Sequence, residues 1–497
     1  LLSTSKNESG SDQGLLDHRR MPMVEHIRDL RARSVVPYLS IGHRQGAAAL
    51  PEILELLGDD LFASNTWLNA TAYDDALRAS ERLAADAWGA DRSFYLVDGS
   101  SSGNHALMLA TLGPRDKVVI SRDLHWSMLV ALILTGAQPV YVAPRLDPAR
   151  DIGRGIEPAD VVDALDRHPD TALVALVSPS FCGVASDLRA IATAAHDRNV
   201  PVYVDEAWGP HFHFHPDLPA SAMTSGADAA VASVHKLLPA ISQGSVLHVQ
   251  GDRIDRERLA TSVRMMQTTS PLLPTVASLD GARQQMALDG DVLLDRVINL
   301  ARDVRAAIST IDGYDVLSHS SLGLPADRLD PTKLVIDVHR TGFTGYEVER
   351  QLNQTFNIAV ELSDHRGIIC NLNLGDTESS AARLVESLAA IAVDAGESPA
   401  LPLNGRSSGA AIATSEQAMT PRDAYFSRSR PVCLASAVDE VAAELVTPYP
   451  PGIPVLAPGE VVTRDKVEYL LDTFEQGRAL YGASGDPAER TIRVVCR

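Results

Sequence analysis

The sequence predicts an α/β protein: a large domain on a mostly parallel β-sheet, then a smaller α+β domain and a C-terminal domain. Two observations lead there. Short apolar runs alternate along the chain with stretches of helical periodicity, and those runs are apolar on both faces, as strands covered by helices on both sides must be. With 497 residues, 45% hydrophobic and 22% charged, the chain can fill two or three domains around a sizeable interior.

In chain order, residues 1–20 open with LLSTSKNESGSDQG, lack the basic-then-apolar order of a secretion signal, and are expected to form a disordered tail. Residues 23–33 and 51–57 read as short helices, and DALRASERLAADAW (75–88) as a longer one that Gly89 stops. Strands follow at 94–97, 117–121 (KVVIS), 139–144, 172–180, 200–207 (VPVYVDEA) and 229–233, separated by helices near 105–112, 127–135, 159–166 and 188–199. Residues 21–280 then form the N-terminal segment and large domain, which ends near the Pro-rich TTSPLLPT. A long amphipathic helix over 291–311 crosses to a second unit, residues 281–396, with strands at 334–338 and 368–370 and a helix at 345–356. Residues 397–417 are rich in Pro, Gly and Ser and read as a linker to a C-terminal domain over 418–497.

Several function classes are disfavoured at once. A net charge of −20 repels polyphosphate, so nucleic acid and anionic membrane surfaces are poor partners. No apolar stretch approaches the roughly 20 residues that span a bilayer. Cys182, Cys370, Cys433 and Cys496 are widely spaced, which argues against a disulfide framework or a metal site and fits a reducing cytoplasm. The run HFHFH (211–215) reads as a half-buried extended segment rather than a metal tract.

The chemistry concentrates at strand ends. Lys236, in SVHK, follows a buried strand, and Asp205 closes the strand VPVYVD upstream. A lone lysine at such a position usually snorkels to water. Paired with a strand-end Asp and a nearby Ser233 it fits pyridoxal 5′-phosphate (PLP): the lysine binds the cofactor covalently, the carboxylate keeps the pyridine nitrogen protonated, and the hydroxyl meets the phosphate. DGSSSGNH supplies a phosphate site, with Gly99 and Gly103 for tight backbone geometry and Ser100, Ser101 and Ser102 beside free helix N–H groups. His125, in the loop after KVVIS, is placed to stack on a flat cofactor or to move a proton.

DGSSSGNHALMLATLG with the following KVVISRDLHWS, then VDEAWGPHFHFHPDLPASAM, SVHKLLPAISQGS, QTTSPLLPT and the string PYPPGIPVLAPGE resemble the Orn/Lys/Arg decarboxylase family of fold type I (aspartate-aminotransferase-like) PLP enzymes, over about residues 20–480. The resemblance implies that Lys236 is the Schiff-base lysine and Asp205 the partner of the pyridine nitrogen. It implies that Ser100, Ser101 and Ser233 bind phosphate, that His125 and Ala207 pack against the two ring faces, and that His235 sits beside the reacting bond. Thr268, in QTTSP, matches a residue that reaches the neighbouring subunit's phosphate, which implies a homodimer or a dimer-based higher oligomer. No metal is implied. The expected reaction is decarboxylation of a basic amino acid, arginine ahead of lysine or ornithine, to an amine and CO2 in polyamine metabolism.

Three departures from the family pattern stand out. The chain resembles the compact subgroup without an N-terminal receiver-like domain. It reads His125-Trp126-Ser127 where HKS is usual, and residues 69–85 look shortened. The altered segment at 69–85 keeps a second reading open, a relative that runs oxidation, amino transfer or cyclisation on the same cofactor. A third, a non-catalytic regulatory subunit, conflicts with the retained Lys236, Asp205 and His125. For the substrate's distal cation the candidate acids are Glu361, Asp364 and Glu460, because a buried cation needs a partner.

Overall fold

The computed structural model describes residues 16–32, 70–147, 149–150, 152–395, 399–401, 412–448, 453–475, 480–482 and 490–496. The helix expected at 51–57 and most of the 397–417 segment lie outside them. So does the expected tail over 1–15, but residues 16–20 are tied down: His18 Nε2 lies 2.8 Å from Asp86 Oδ2, and the carbonyls of His18 and Arg20 accept from the buried Arg283 guanidinium.

Helices α1 (Pro22–Ala32) and α2 (Ala70–Ala87) precede a seven-stranded sheet. Its strands are β1 (Arg92–Leu96), β2 (Lys117–Ser121), β3 (Gln138–Val142), β4 (Thr171–Val177), β5 (Val202–Asp205), β6 (Ala229–Ala232) and β7 (Ser245–Val249), in the spatial order β1-β7-β6-β5-β4-β2-β3. All run parallel except β7, which pairs antiparallel with both β1 and β6. The apolar-run reading passes over β7 because Ser245, which also ends the loop LLPAISQGS, and His248 interrupt SVLHV. Helices α3 (Gly99–Thr111), α4 (Trp126–Thr135), α5 (Pro158–Arg167) and α6 (Leu188–His196) connect the strands, and α7 (Arg256–Met266) packs on α3. Two apolar layers result, one containing Leu107, Met128, Ile120 and Leu247, the other Val174, Leu176, Ile191 and Val204.

The crossing helix is longer than periodicity suggests. It runs unbroken as α8 (Leu273–Ile308), 36 residues, starting inside the Pro-rich segment because Pro274 sits in the first turn, where its missing N–H costs nothing. Leu273, Val276 and Met286 belong to the large domain's core, while Val297, Val304 and Ile308 belong to the next, so one rod is shared by both units. The second unit has β8 (Asp315–Val316), β9 (Lys333–Asp337), β10 (Leu362–Ser363) and β11 (Gly367–Asn371) in an antiparallel sheet ordered β8-β9-β11-β10, with α9 (Gly345–Phe356) and α10 (Glu378–Ala395) packed against it. HFHFH is not extended: Phe212–Phe214 forms a 3₁₀ turn, and His211 and His215 pair with Asp330 (3.2 Å) and Asp295 (3.0 Å), carboxylates far apart in sequence.

The C-terminal unit contains α11 (Pro421–Phe426), β12 (Ser429–Cys433), α12 (Arg464–Glu475) and β13 (Thr491–Val495). It is fastened to the large domain by one buried charge cluster. Arg122, directly after β2, donates Nε and Nη2 to the two oxygens of Glu460 at 3.1 Å each, and its remaining N–H groups reach the carbonyls of Pro454 and Val455. Lys466 Nζ adds a 2.9 Å bond to Glu460. Burial alone would raise the Glu460 pKa, but Arg122 and Lys466 outweigh it and hold the carboxyl below its usual 4.5. Glu460→Gln strands two buried cations and is expected to cost about 3–5 kcal/mol in urea denaturation. Because the folded pKa lies below the unfolded one, this contribution is present above pH 4.5 and lost as pH falls through the folded value, so parent and variant should converge in acid.

Candidate active site

The parallel strands bring their carboxyl ends to one edge, where α/β sheets bind ligands. Asp205 is the last residue of β5, His125 lies in the loop after β2, Ser100 and Ser101 open α3 after β1, and Ser233 with Lys236 follows β6.

A hydrogen-bonded chain fixes the polar half of this edge. Asp205, 3% exposed, accepts from Asn104 Nδ2 at 2.8 Å and from the Ala207 N–H at 3.1 Å. Asn104 gives its other amide hydrogen to Ser127 Oγ (2.9 Å), and its carbonyl accepts from the Tyr203 hydroxyl (2.5 Å). Ser127 Oγ in turn lies 2.8 Å from His125 Nδ1, which also accepts from the Ser127 N–H. With Nδ1 an acceptor, the His125 proton sits on Nε2. Burial pushes the His125 pKa down to about 4 against the opposing pull of Asp205, so the ring is neutral at physiological pH. The sequence alone points to neither Asn104 nor Tyr203, although Asn104 belongs to the DGSSSGNH motif.

The nucleophilic half is Lys236, on the single turn Val234–Leu237. Burial lowers its pKa, while Asp205 and Glu361 pull it up. Its Nζ lies 3.8 Å from the centroid of the Trp208 ring. His235 binds the Gly244 carbonyl through Nδ1 at 2.9 Å, which leaves Nε2 as its proton-exchanging nitrogen. Ala207 is buried beside Asp205.

Two observations test the fit of a cofactor phosphate. Ser233 Oγ is fully buried yet has no hydrogen-bond partner among the described residues, an arrangement that costs free energy unless a ligand supplies one. The first turn of α3 has no side-chain cap: Gly99, at φ +74°, a conformation that suits glycine, turns the chain into the helix, and Asp98 instead accepts from the Thr268 N–H at 2.9 Å. Uncapped N–H groups, the Ser100 and Ser101 hydroxyls and an orphaned Ser233 suit a phosphate, so these residues fit PLP.

The three candidate acids part company. Glu361, at the surface, accepts from Asn371 Nδ2 at 3.0 Å and acts electrostatically on Lys236. Asp364 Oδ1 accepts two backbone N–H groups, of Arg366 and Gly367, at 2.7 Å each, and so shapes the turn into β11. Glu460 corrects the expectation: it is 0% exposed and enclosed by Arg122 and Lys466, so it serves the domain junction rather than a substrate.

The family model of the Orn/Lys/Arg decarboxylase major domain matches residues 22–380, and that of the C-terminal domain matches residues 407–483. The chain belongs to the Orn/Lys/Arg decarboxylase family. Among family relatives, the arginine decarboxylase of Bacillus subtilis is 35% identical over 97% of this chain and 99% of its own length. That of Halalkalibacterium halodurans is 36% identical over 91% and 93%. The solved lysine decarboxylase of Francisella novicida superposes with a TM-score of 0.81 at 21% identity, covering 96% of this chain and 81% of that one. A Bacillus subtilis ureidoglycine–glyoxylate aminotransferase matches at 0.54 and 13% identity, over 69% of this chain and 90% of that one. The large domain therefore has the fold type I architecture, and this decarboxylase-family chain is a PLP-dependent enzyme acting on a basic amino acid. Among the described residues no helix is long and apolar enough to cross a membrane.

Proposed function

We propose that the substrate is L-arginine, converted to agmatine and CO2. The observation that carries this reading is the near full-length similarity to relatives named arginine decarboxylase. PLP, when bound, supplies the sink for the electron pair that departing CO2 leaves on the substrate's Cα. The chain's own residues do the rest. Asp205, held by Asn104 and the Ala207 N–H, would keep the pyridine nitrogen of a bound cofactor protonated, with neutral His125 and Ala207 lining the place of its ring. Ser100, Ser101 and Ser233 bind phosphate. Lys236 Nζ would hold the cofactor, and a proton would return to Cα either from Lys236 as its ammonium or from His235 once Nε2 has taken up a proton from solvent. Four cysteines without disulfide bonds are consistent with a cytoplasmic enzyme. The test is incubation with arginine, lysine and ornithine separately, measuring CO2 and organic product. Equimolar CO2 and agmatine from arginine is the expected result; oxidised, transaminated or cyclised product, or a preference for lysine or ornithine, overturns the reading.

Glu361 is the acid for the substrate's distal cation, because it alone of the three candidates acts on Lys236 with its carboxylate at the surface of the site. Glu361→Gln should raise KM for arginine about tenfold with kcat within about twofold, whereas Asp364→Asn should leave KM unchanged. An unchanged KM in Glu361→Gln assigns the distal group elsewhere.

The enzyme works as a homodimer or a multiple of one, with Thr268 reaching the partner's phosphate. Support comes from the segment around Thr268, where Met265 and Leu272 are 65% and 55% exposed, large apolar side chains that a second copy would cover. Specific activity should fall on dilution as dimer dissociates, in step with the sedimentation profile; a fully active monomer would contradict this assignment.

A further inference from the structure

Lys333, the first residue of β9, is 1% exposed. Its stem is gripped by the backbone at Gly183, where an added Cβ would lie 2.9 Å from Lys333 Cδ. Its ammonium makes a 2.9 Å hydrogen bond to Asn371 Oδ1 and lies 4.0 Å from the centroid of the Trp208 ring. Lys236 Nζ lies 3.8 Å from that same centroid. Among the described residues no carboxylate pairs with Lys333. Asp330 acts on it at longer range, but Asp330 pairs with His211 at 3.2 Å and accepts from the Thr332 N–H and hydroxyl. A buried cation without a counter-ion is costly, so a site that keeps one is built for an anion that arrives later.

We propose that Lys333 receives the α-carboxylate of the substrate. The substrate's amine takes the place of Lys236 Nζ, and its carboxylate is two bonds from that amine, hence beside the ring that both lysines share. Asn371 ties the assignment to the rest of the site: its carbonyl accepts from Lys333 and its amide hydrogen goes to Glu361. The strip therefore reads positive at its buried end and negative at its exposed end. A basic amino acid has the complementary order, carboxylate first and side-chain cation last. Burial lowers the Lys333 pKa to about 8, so the group is still mainly charged at neutral pH. One cation on one oxygen also fixes the direction in which the Cα–carboxyl bond leaves, without the two-pronged grip that a guanidinium would give.

This inference rests on the basic amino-acid reading, and the test separates the two. PLP-loaded parent, Lys333→Met, Lys333→Arg and Asn371→Asp are each mixed rapidly with arginine, agmatine, lysine or cadaverine. Affinities are read from the cofactor's absorbance change before turnover. Each amine lacks only the carboxylate of its amino acid. Lys333→Met should weaken binding of the amino acid at least about tenfold and change the amine by less than about twofold, with Lys333→Arg recovering part of the loss. Asn371→Asp gives Lys333 a permanent counter-ion and should weaken the amino acid but not the amine, a check that stands even if Lys333→Met fails to fold. Equal losses for amino acid and amine, or no loss for either, overturn the assignment. A parent enzyme that binds none of the four overturns the substrate reading and this inference with it.

Discussion

Lys236→Ala is expected to give a folded protein that loses PLP on dialysis, lacks the visible absorbance that borohydride removes from the parent, and turns over no detectable arginine. The expectation follows from what surrounds the strand end. Lys236 is the amine that burial holds below its usual pKa between Asp205 and the Trp208 ring, which leaves a larger neutral, nucleophilic fraction than a solvated lysine has. The other buried amine on that ring, Lys333, is anchored to Asn371 on a different domain, so it does not take over the covalent role. The measurement is the pair of spectra with and without borohydride, alongside a circular dichroism check on folding. A borohydride-sensitive band persisting in Lys236→Ala would move the covalent attachment to another lysine.

Much of this site is legible in the sequence because its residues sit at strand ends that apolar runs announce. VPVYVD places Asp205, and AAVASVHK places Ser233 and Lys236, with no knowledge of tertiary contacts. Residues that act through partners distant in sequence are not legible this way. Asn104 touches Asp205 across 101 positions, and Arg122 meets Glu460 across 338. No local pattern distinguishes Glu460 in APGE from an acid lining a substrate pocket; only the folded C-terminal unit shows that two cations already enclose it. Lys333 is hidden for a related reason. In DPTKL it reads as an ordinary charged residue opening a strand, and its burial depends on Gly183 and Trp208 from the other domain. The fold is likewise clear where strands are purely apolar and obscure at β7, where Ser245 and His248 interrupt the run and both are buried.

Asp205→Asn is expected to retain cofactor and lose about 10²–10³-fold in kcat, the range found when one preorganised electrostatic contact is removed from a reacting centre. Two physical effects add. A neutral amide does not hold the pyridine nitrogen protonated, so the electron pair left by CO2 is poorly accommodated and the transition state suffers more than substrate binding. The amide also disturbs the chain behind it. Both Asp205 oxygens accept, one from Asn104 and one from the Ala207 N–H. An asparagine has one acceptor and one donor there, so it either sets an N–H against an N–H or forces Asn104 to turn away from Tyr203 and Ser127, which orients His125. Asn104→Ala separates the charge from the rest, since it keeps the carboxylate and removes the hydrogen-bonded chain behind it, the bonds to Ser127 and Tyr203 included. Its expected loss is smaller, about tenfold, corresponding to ~1.4 kcal/mol for one hydrogen bond to a charged group. Turnover is measured at saturating arginine with cofactor occupancy read from absorbance, so lost binding is not mistaken for lost chemistry. Near-normal kcat in a fully occupied Asp205→Asn would assign the pyridine nitrogen to a different carboxylate. A loss in Asn104→Ala as large as that in Asp205→Asn would mean that the hydrogen-bonded chain orienting Asp205 and His125, more than the charge of Asp205, governs the reaction.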